Sequence, residues 1–287
     1  MTFDATAATP PIAAKKPAKS VHHGIEKIDD YAWLRADNWQ AVMRDPSVLA
    51  ADIRQYLEAE NAYQGALMAD TEELQKQLIG EMRGRIKEDD SSVPMKDGPY
   101  AYGVRYRQGG EHPIYIRVPA DGGEETVLLD GDEQAGDRSH FRIGAADHSP
   151  DHRLLAWSYD DTGSELYKVH FRDLDTGGDL ADEIAETGGG GVFSKDSRSF
   201  VYTKLDENHR PSKLFLHRIG DGQDEDILLM EETDPGFFLG AGKTQSDDWI
   251  VFDTHDHETS QSWLVPAGRP DAEPRLIAAR HPARCHL

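Results

Sequence analysis

The chain has 287 residues, 38% of them hydrophobic and 29% charged, with a net charge of −22 and a single cysteine. That length supports one large or two ordinary domains, while the acidic balance repels phosphate backbones and argues against a nucleic-acid partner. No apolar run is long enough for a membrane-spanning helix, so no membrane partner is expected, and the lone Cys285 cannot form an internal disulfide, which points to a reducing, cytoplasmic setting.

The start, MTFDATAATPPIAAKKPAKS, is rich in Ala, Pro and Lys and lacks the basic-then-apolar order of a secretory signal. Residues 1–20 read as a leader without structure, and His22-His23, beside it, is too poorly supported for a metal site. From about Ile28 to Ile86 the texture is helical. Trp33, Leu34, Trp39, Val42 and Met43 have helix-compatible spacing and stop at Pro46. Leu49, Ile53, Tyr56, Leu57, Tyr63, Leu67, Leu74, Leu78 and Met82 then mark one long helix or two, with Gly65 and the Ala-Asp-Thr at 69–71 as possible breaks. The helical arm is placed at 21–88, its apolar stripe predicting that it docks on something larger.

Beyond Lys87 the sequence repeats itself. SPDHRLLAWSYDD begins at Ser149, SKDSRSFVYTKLD 45 positions later at Ser194, and TQSDDWIVFDTHD 50 positions after that at Thr244; PMKDGPYAYGVRY from Pro94 is a looser copy. A run of small residues precedes each phrase. An alternating run with a Gly-bearing turn follows, and then a variable run. Four strands per unit at a period of 40 to 50 residues is the pattern of β-propeller blades. Small residues suit inner strands crowded at an axis, and near-continuous apolar runs such as LLAWS, SFVYT and WIVFD suit strands covered on both faces. The expectation is a mainly β fold: a partial β-propeller of about four four-stranded blades over 89–281, preceded by the helical arm. The tail, 282–287, falls outside the pattern.

Several stretches invite a chemical reading. Asp161-Thr162-Gly163 and Asp175-Thr176-Gly177 look like the surroundings of an acid-protease carboxylate. They stand 14 residues apart at expected hairpin turns, whereas two carboxylates sharing a proton must come together from distant loops. Turns are the better reading. His255-Asp256-His257 has no third spaced ligand and reads as a solvated turn. The tetraglycine 188–191 lacks the Lys-Ser/Thr of a phosphate loop and reads as packing in an inner strand. Gly-x-Ser-x-Gly occurs nowhere. No residue is therefore assigned as catalytic, cofactor-binding or metal-binding, and no cofactor is expected.

The combination of HHGIEKIDDYAWLR (22–35), YLEAENAY (56–63), EMRGRIKEDDSSVP (81–94), HPIYIR (112–117), HSPDHRLLAWSYDDTGSELYKVHFRDLDTG (148–177), SKDSRSFVYTKLDENHRPSKLFLHRIG (194–220) and TSQSWLV (259–265) resembles the N-terminal portion of the prolyl oligopeptidase family of serine peptidases, nearest its oligopeptidase B (protease II) branch. The resemblance implies a helical segment wrapped on an α/β-hydrolase domain and a seven-bladed propeller capping a Ser-Asp-His site. It also implies metal-independent cleavage of short peptides after Arg or Lys. Against that pattern the sequence carries four blade units, no α/β-hydrolase domain and no triad position. It is thus expected to be an N-terminal fragment of such a peptidase, inactive alone. Its expected partners are short basic peptides through the parent enzyme, the missing hydrolase domain or a separately encoded one, and a second copy through an unclosed blade face. The alternative is a non-catalytic propeller module that binds basic peptides.

Overall fold

The computed structural model describes residues 8–281. The chain divides into two units, residues 1–87 and 88–287.

The first unit opens with a hairpin. β1 (Ala18–His22) pairs with β2 (Ile25–Asp29) in register His22 opposite Ile25. The two-residue turn places both His23 (φ 51°) and Gly24 (φ 78°) in the left-handed region, as a tight hairpin whose twist matches its strands demands. This corrects the reading of the leader as structureless up to residue 20 and of 21–88 as helical from its start, while residues 1–7 of the leader lie outside the described residues. The segment before β1 is also tied down: Lys16 N donates to Asp30 O, and Trp33 Nε1 donates to Ala14 O at 2.8 Å. An indole N–H and a ladder extension thus recruit a segment that has no apolar signal of its own. α1 (Trp39–Arg44), α2 (Ala51–Met68) and α3 (Glu72–Arg83) follow. Of the two candidate breaks, Gly65 lies inside α2, and Ala69–Thr71 forms the 3₁₀ turn that separates α2 from α3.

The second unit is a run of antiparallel meanders. β3 (Met95–Asp97), β4 (Tyr100–Arg105), β5 (Ile114–Pro119) and β6 (Thr126–Asp130) form the first four-stranded sheet, and the short α4 (Gly131–Ala135) leads out of it. A seven-stranded sheet runs in chain order through β7 (Arg142–His148), β8 (Leu154–Asp160), β9 (Tyr167–Asp173), β10 (Asp179–Phe193), β11 (Ser199–Leu205), β12 (Pro211–Arg218) and β13 (Ile227–Glu231). β14 (Phe238–Lys243), β15 (Trp249–His255), β16 (Ser260–Pro266) and β17 (Arg275–Ala278) make a second four-stranded sheet.

The seven-stranded sheet is two blades sharing one strand. The first part of β10 pairs with β9 from Asp179 to Thr187, and its second part pairs with β11 from Thr187 to Phe193. β10 is therefore the outer strand of blade 2 and then the inner strand of blade 3. The changeover centres on Thr187, which is fully buried and partners both Tyr167 and Lys204. Its Oγ1 donates to Tyr167 O and accepts from Gly189 N, while Glu186 (φ 57°) and Gly189 (φ 89°) supply the left-handed backbone that turns the strand. Four blades result, in agreement with the repeat.

Each interface between blades has its own apolar core. Leu129, Phe141, Leu155 and Trp157 join blades 1 and 2; Ala156, Phe171, Ile184, Phe200 and Tyr202 join blades 2 and 3; Val201, Leu214, Leu239, Ile250 and Phe252 join blades 3 and 4. Successive residues of β11, Phe200 and Tyr202 against Val201, belong to different cores. A strand whose two faces are both covered needs apolar residues without a gap.

Candidate functional site on the inner strands

The turn between the first and second strands is built alike in blades 2 and 3. In blade 2, Ser149 Oγ donates to Asp151 Oδ1 and accepts from Leu154 N; in blade 3, Ser194 Oγ donates to Asp196 Oδ1 and accepts from Ser199 N. Equivalent positions take left-handed backbone in blades 2, 3 and 4: His152, Ser197 and Asp247; in blade 1 the tighter turn between Asp97 and Tyr100 uses Gly98 (φ 54°). These turns also sew blades together, with Asp151 N donating to Ser197 Oγ and Lys195 N to Ala267 O.

The Asp-Thr-Gly stretches are turns in the structure, but the organising carboxylate in each is a neighbouring aspartate. Asp160, 2% exposed, accepts from Thr162 N (2.9 Å), Gly163 N (3.0 Å) and Glu165 N (2.9 Å). Burial alone would raise its carboxyl, but the Thr162 and Glu165 N–H groups outweigh that and hold it below the usual carboxylate range. Asp161 pairs outward with Lys168. Likewise Asp173 accepts from Asp175 N and Thr176 N, which hold its carboxyl low, while Asp175 pairs with Arg153.

The His255 side chain turns back to Asp253, and Asp256 accepts from Glu258 N and Thr259 N to close a turn. In the tetraglycine, a Cβ on Gly191 would lie 2.4 Å from the Phe200 ring and 2.5 Å from Val201 O, and one on Gly189 would lie 2.9 Å from the Tyr167 ring. Packing accounts for both glycines. Cys285 and the tail 282–287 lie outside the described residues.

What sequence reasoning did not assemble is the pair of cavities at the two ends of the inner strands. At the start of β7, of the second part of β10 and of β14, a cavity of ≈ 580 Å³ is bordered by Arg142, Tyr167, Gly190, Tyr202, Phe238 and His255. At the ends of the same strands a second cavity, ≈ 240 Å³, gathers Asp97, Asp147, His148, Phe193, Lys243 and Asp247 from all four blades. Each of these residues lies in or beside a repeated phrase, so the signal was their common place in the repeat. The polar groups reach across interfaces: His148 Nε2 is 2.9 Å from Asp97 Oδ2, and Tyr102 stacks flat on His148 with ring centres 3.6 Å apart. Tyr102 Oη is 2.8 Å from His152 Nδ1, and burial pushes its phenol up to about 12. Between blades 2 and 3, fully buried His217 lies between Asp226 (2.7 Å) and Asp182 (3.3 Å). The buried His217 group and the Tyr102–His152 contact position strands, while Asp97, Asp147 and Asp247 give the smaller cavity an acidic lining.

Comparison with known proteins places this architecture. A family profile, prolyl oligopeptidase N-terminal β-propeller domain, matches residues 10–286. The match thus starts inside the segment read as a leader and runs into the segment read as a tail. Dipeptidyl aminopeptidase BI of Pseudoxanthomonas mexicana is 33% identical over 284 residues, taking in 93% of this chain and 38% of that protein. Protease 2 of Moraxella lacunata is 29% identical over 279 residues, 94% of this chain and 39% of that protein. Among solved structures, oligopeptidase B from Leishmania major superposes with a TM-score of 0.86 at 28% identity, covering 96% of this chain and 40% of that one. Oligopeptidase B from Trypanosoma brucei with covalently bound antipain, in its closed form, gives 0.85 at 26% identity, covering the same shares. The chain spans about two fifths of the length of these relatives. With its four consecutive blades and preceding helical segment, it belongs to the prolyl oligopeptidase family, of which it carries the N-terminal β-propeller portion.

Proposed function

We infer that this chain is the propeller portion of an oligopeptidase B-like serine peptidase that cleaves short peptides after Arg or Lys, and that it does not hydrolyse peptides by itself. In this reading the blades restrict access to a site supplied by an α/β-hydrolase domain, in a cytoplasmic enzyme that needs no metal or cofactor. The observation that carries it is the agreement, over nearly the whole chain, with solved oligopeptidase B structures. The acidic surface, net charge −22, favours basic peptides over acidic ones. Gly-x-Ser-x-Gly, the usual setting of the nucleophile in an α/β-hydrolase, occurs nowhere in the 287 residues.

The 33% identity to a dipeptidyl aminopeptidase favours a second specificity, removal of dipeptides from a free amino terminus. One experiment separates the readings. The propeller portion of Protease 2 from Moraxella lacunata is replaced by this chain, and the chimera is offered an N-blocked Arg p-nitroanilide and an unblocked dipeptidyl p-nitroanilide. Hydrolysis of the blocked Arg substrate by the chimera, with none by the pure chain, is the expected result. Turnover by the pure chain contradicts the proposal, and a chimera that accepts only the unblocked substrate selects the second reading. Binding of Arg-rich peptides by the pure chain without hydrolysis, lost at high salt, would fit the role of a binding module.

A further inference from the structure

Blades 1 and 2 do not pack against each other along their whole depth. Towards the inner strands their apolar core gives way to a cavity of ≈ 330 Å³ walled by Tyr102, Val104, Ile116, Leu128, Ala146 and Leu155. This volume is at the lower end of the range for small-molecule sites. Asp147 and His148 border both this cavity and the smaller one at the strand ends.

Three carboxylates and two basic groups meet there, and the pairing leaves one carboxylate over. His148 Nε2 is 2.9 Å from Asp97, and Lys243 Nζ is 2.8 Å from Asp247. The Asp147 carboxylate has no hydrogen bond or ion pair among the described residues, although it is accessible to solvent. Protein crowds it enough to raise its carboxyl above the usual range, against the opposing pull of His148 and Lys243. An unpaired carboxylate beside a low-dielectric wall attracts a cation more strongly than one in open water. The adjoining cavity is walled mainly by apolar side chains, with Ser92, Tyr102 and Tyr115 among the few polar ones.

We propose that Asp147 and the cavity between blades 1 and 2 form a binding site for a small organic cation, with its ammonium on the Asp147 carboxylate and its apolar, ring-sized body between the blades. The charge left over at Asp147 selects a cation over an anion, and the wall of Val104, Ile116 and Leu155 selects a ligand with an apolar body over a simple ammonium. The site is independent of the peptidase assignment, since neither cavity nor carboxylate requires a catalytic domain.

The 287-residue chain is titrated with 2-phenylethylamine, with 3-phenylpropionate (a similar body with opposite charge) and with ethylamine (the same charge without the ring), followed by calorimetry or amide chemical shifts. Saturable binding of 2-phenylethylamine is expected with a Kd on the order of 1 mM, and the two controls bind at least tenfold more weakly. Asp147→Asn, which keeps shape and removes charge, is expected to weaken 2-phenylethylamine binding about tenfold, that is, by about 1.4 kcal/mol, with an unchanged unfolding midpoint. Equal binding of the phenylpropionate, unaltered binding by a folded Asp147→Asn variant, or no saturable binding of the amine overturns the proposal.

Discussion

The adjacent aspartates at 160 and 161 are chemically identical and do different work. Asp160 satisfies three backbone N–H groups in a turn where Glu165 takes left-handed backbone, while Asp161 makes one partly exposed ion pair. Stranding several buried donors costs more than losing a surface pair. Asp160→Ala is therefore expected to destabilise the chain by about 2 to 3 kcal/mol and Asp161→Ala by less than about 1 kcal/mol, read from denaturant midpoints. The Asp160 carboxyl is held below its unfolded value, so its contribution is complete above the unfolded range near pH 4 and fades as pH falls through the folded value. The stability difference between wild type and Asp160→Ala is thus expected to shrink on acidification below about pH 4; a constant difference would contradict the assignment. The motif was legible in the sequence as a turn. Which of the two aspartates organises it was not, because that depends on which carboxylate the backbone encloses.

At the scale of elements, the repeat was readable because a blade imposes the same demands each time: small residues near the axis, two-sided apolar strands, a fixed turn. Positions 152, 197 and 247 recur at the spacing of the repeated phrases and all take left-handed backbone. Two features were hidden. The fusion of two blades through β10 depends on Thr187 pairing in both directions, and a register change leaves no mark in composition. The first hairpin is a two-residue turn carried by His23-Gly24 in a stretch otherwise rich in Lys and Ala, with no buried face to create alternation. The inner-strand glycines offer a direct test of the packing account. Gly191→Ala forces a methyl against the Phe200 ring and the Val201 carbonyl, with an expected cost of about 1 to 3 kcal/mol. Gly190→Ala meets nothing within 4 Å and is expected to change stability by less than about 1 kcal/mol. Thermal or denaturant unfolding of the pair checks this, and equal effects would contradict it.

For the whole molecule, surface charge and apolar exposure act in opposite directions. On blade 4, Ile250 and Phe252 face blade 3, whereas Trp249 is 37% exposed and Leu276 47% exposed. The helical segment exposes Leu57, Leu78, Ile79 and Met82. Such surfaces drive association, while a net charge of −22 opposes it until salt screens the repulsion. Sedimentation velocity is expected to show a monomer of 32.0 kDa at low salt and micromolar concentration, with larger species as protein and salt rise together. A monomer under all these conditions would contradict association through open blade faces. The fold class and blade count were legible in the sequence because repetition multiplies a weak signal. The cavities were not, since the walls of each come from two or more blades and a sequence orders residues by chain rather than by proximity. The central claim, that these blades belong to a serine peptidase, is tested most directly by sequencing the encoding DNA beyond the codon for Leu287. The account predicts further blade units in some reading frame, followed by Gly-x-Ser-x-Gly; a stop followed by unrelated sequence would contradict it and leave a propeller segment acting on its own.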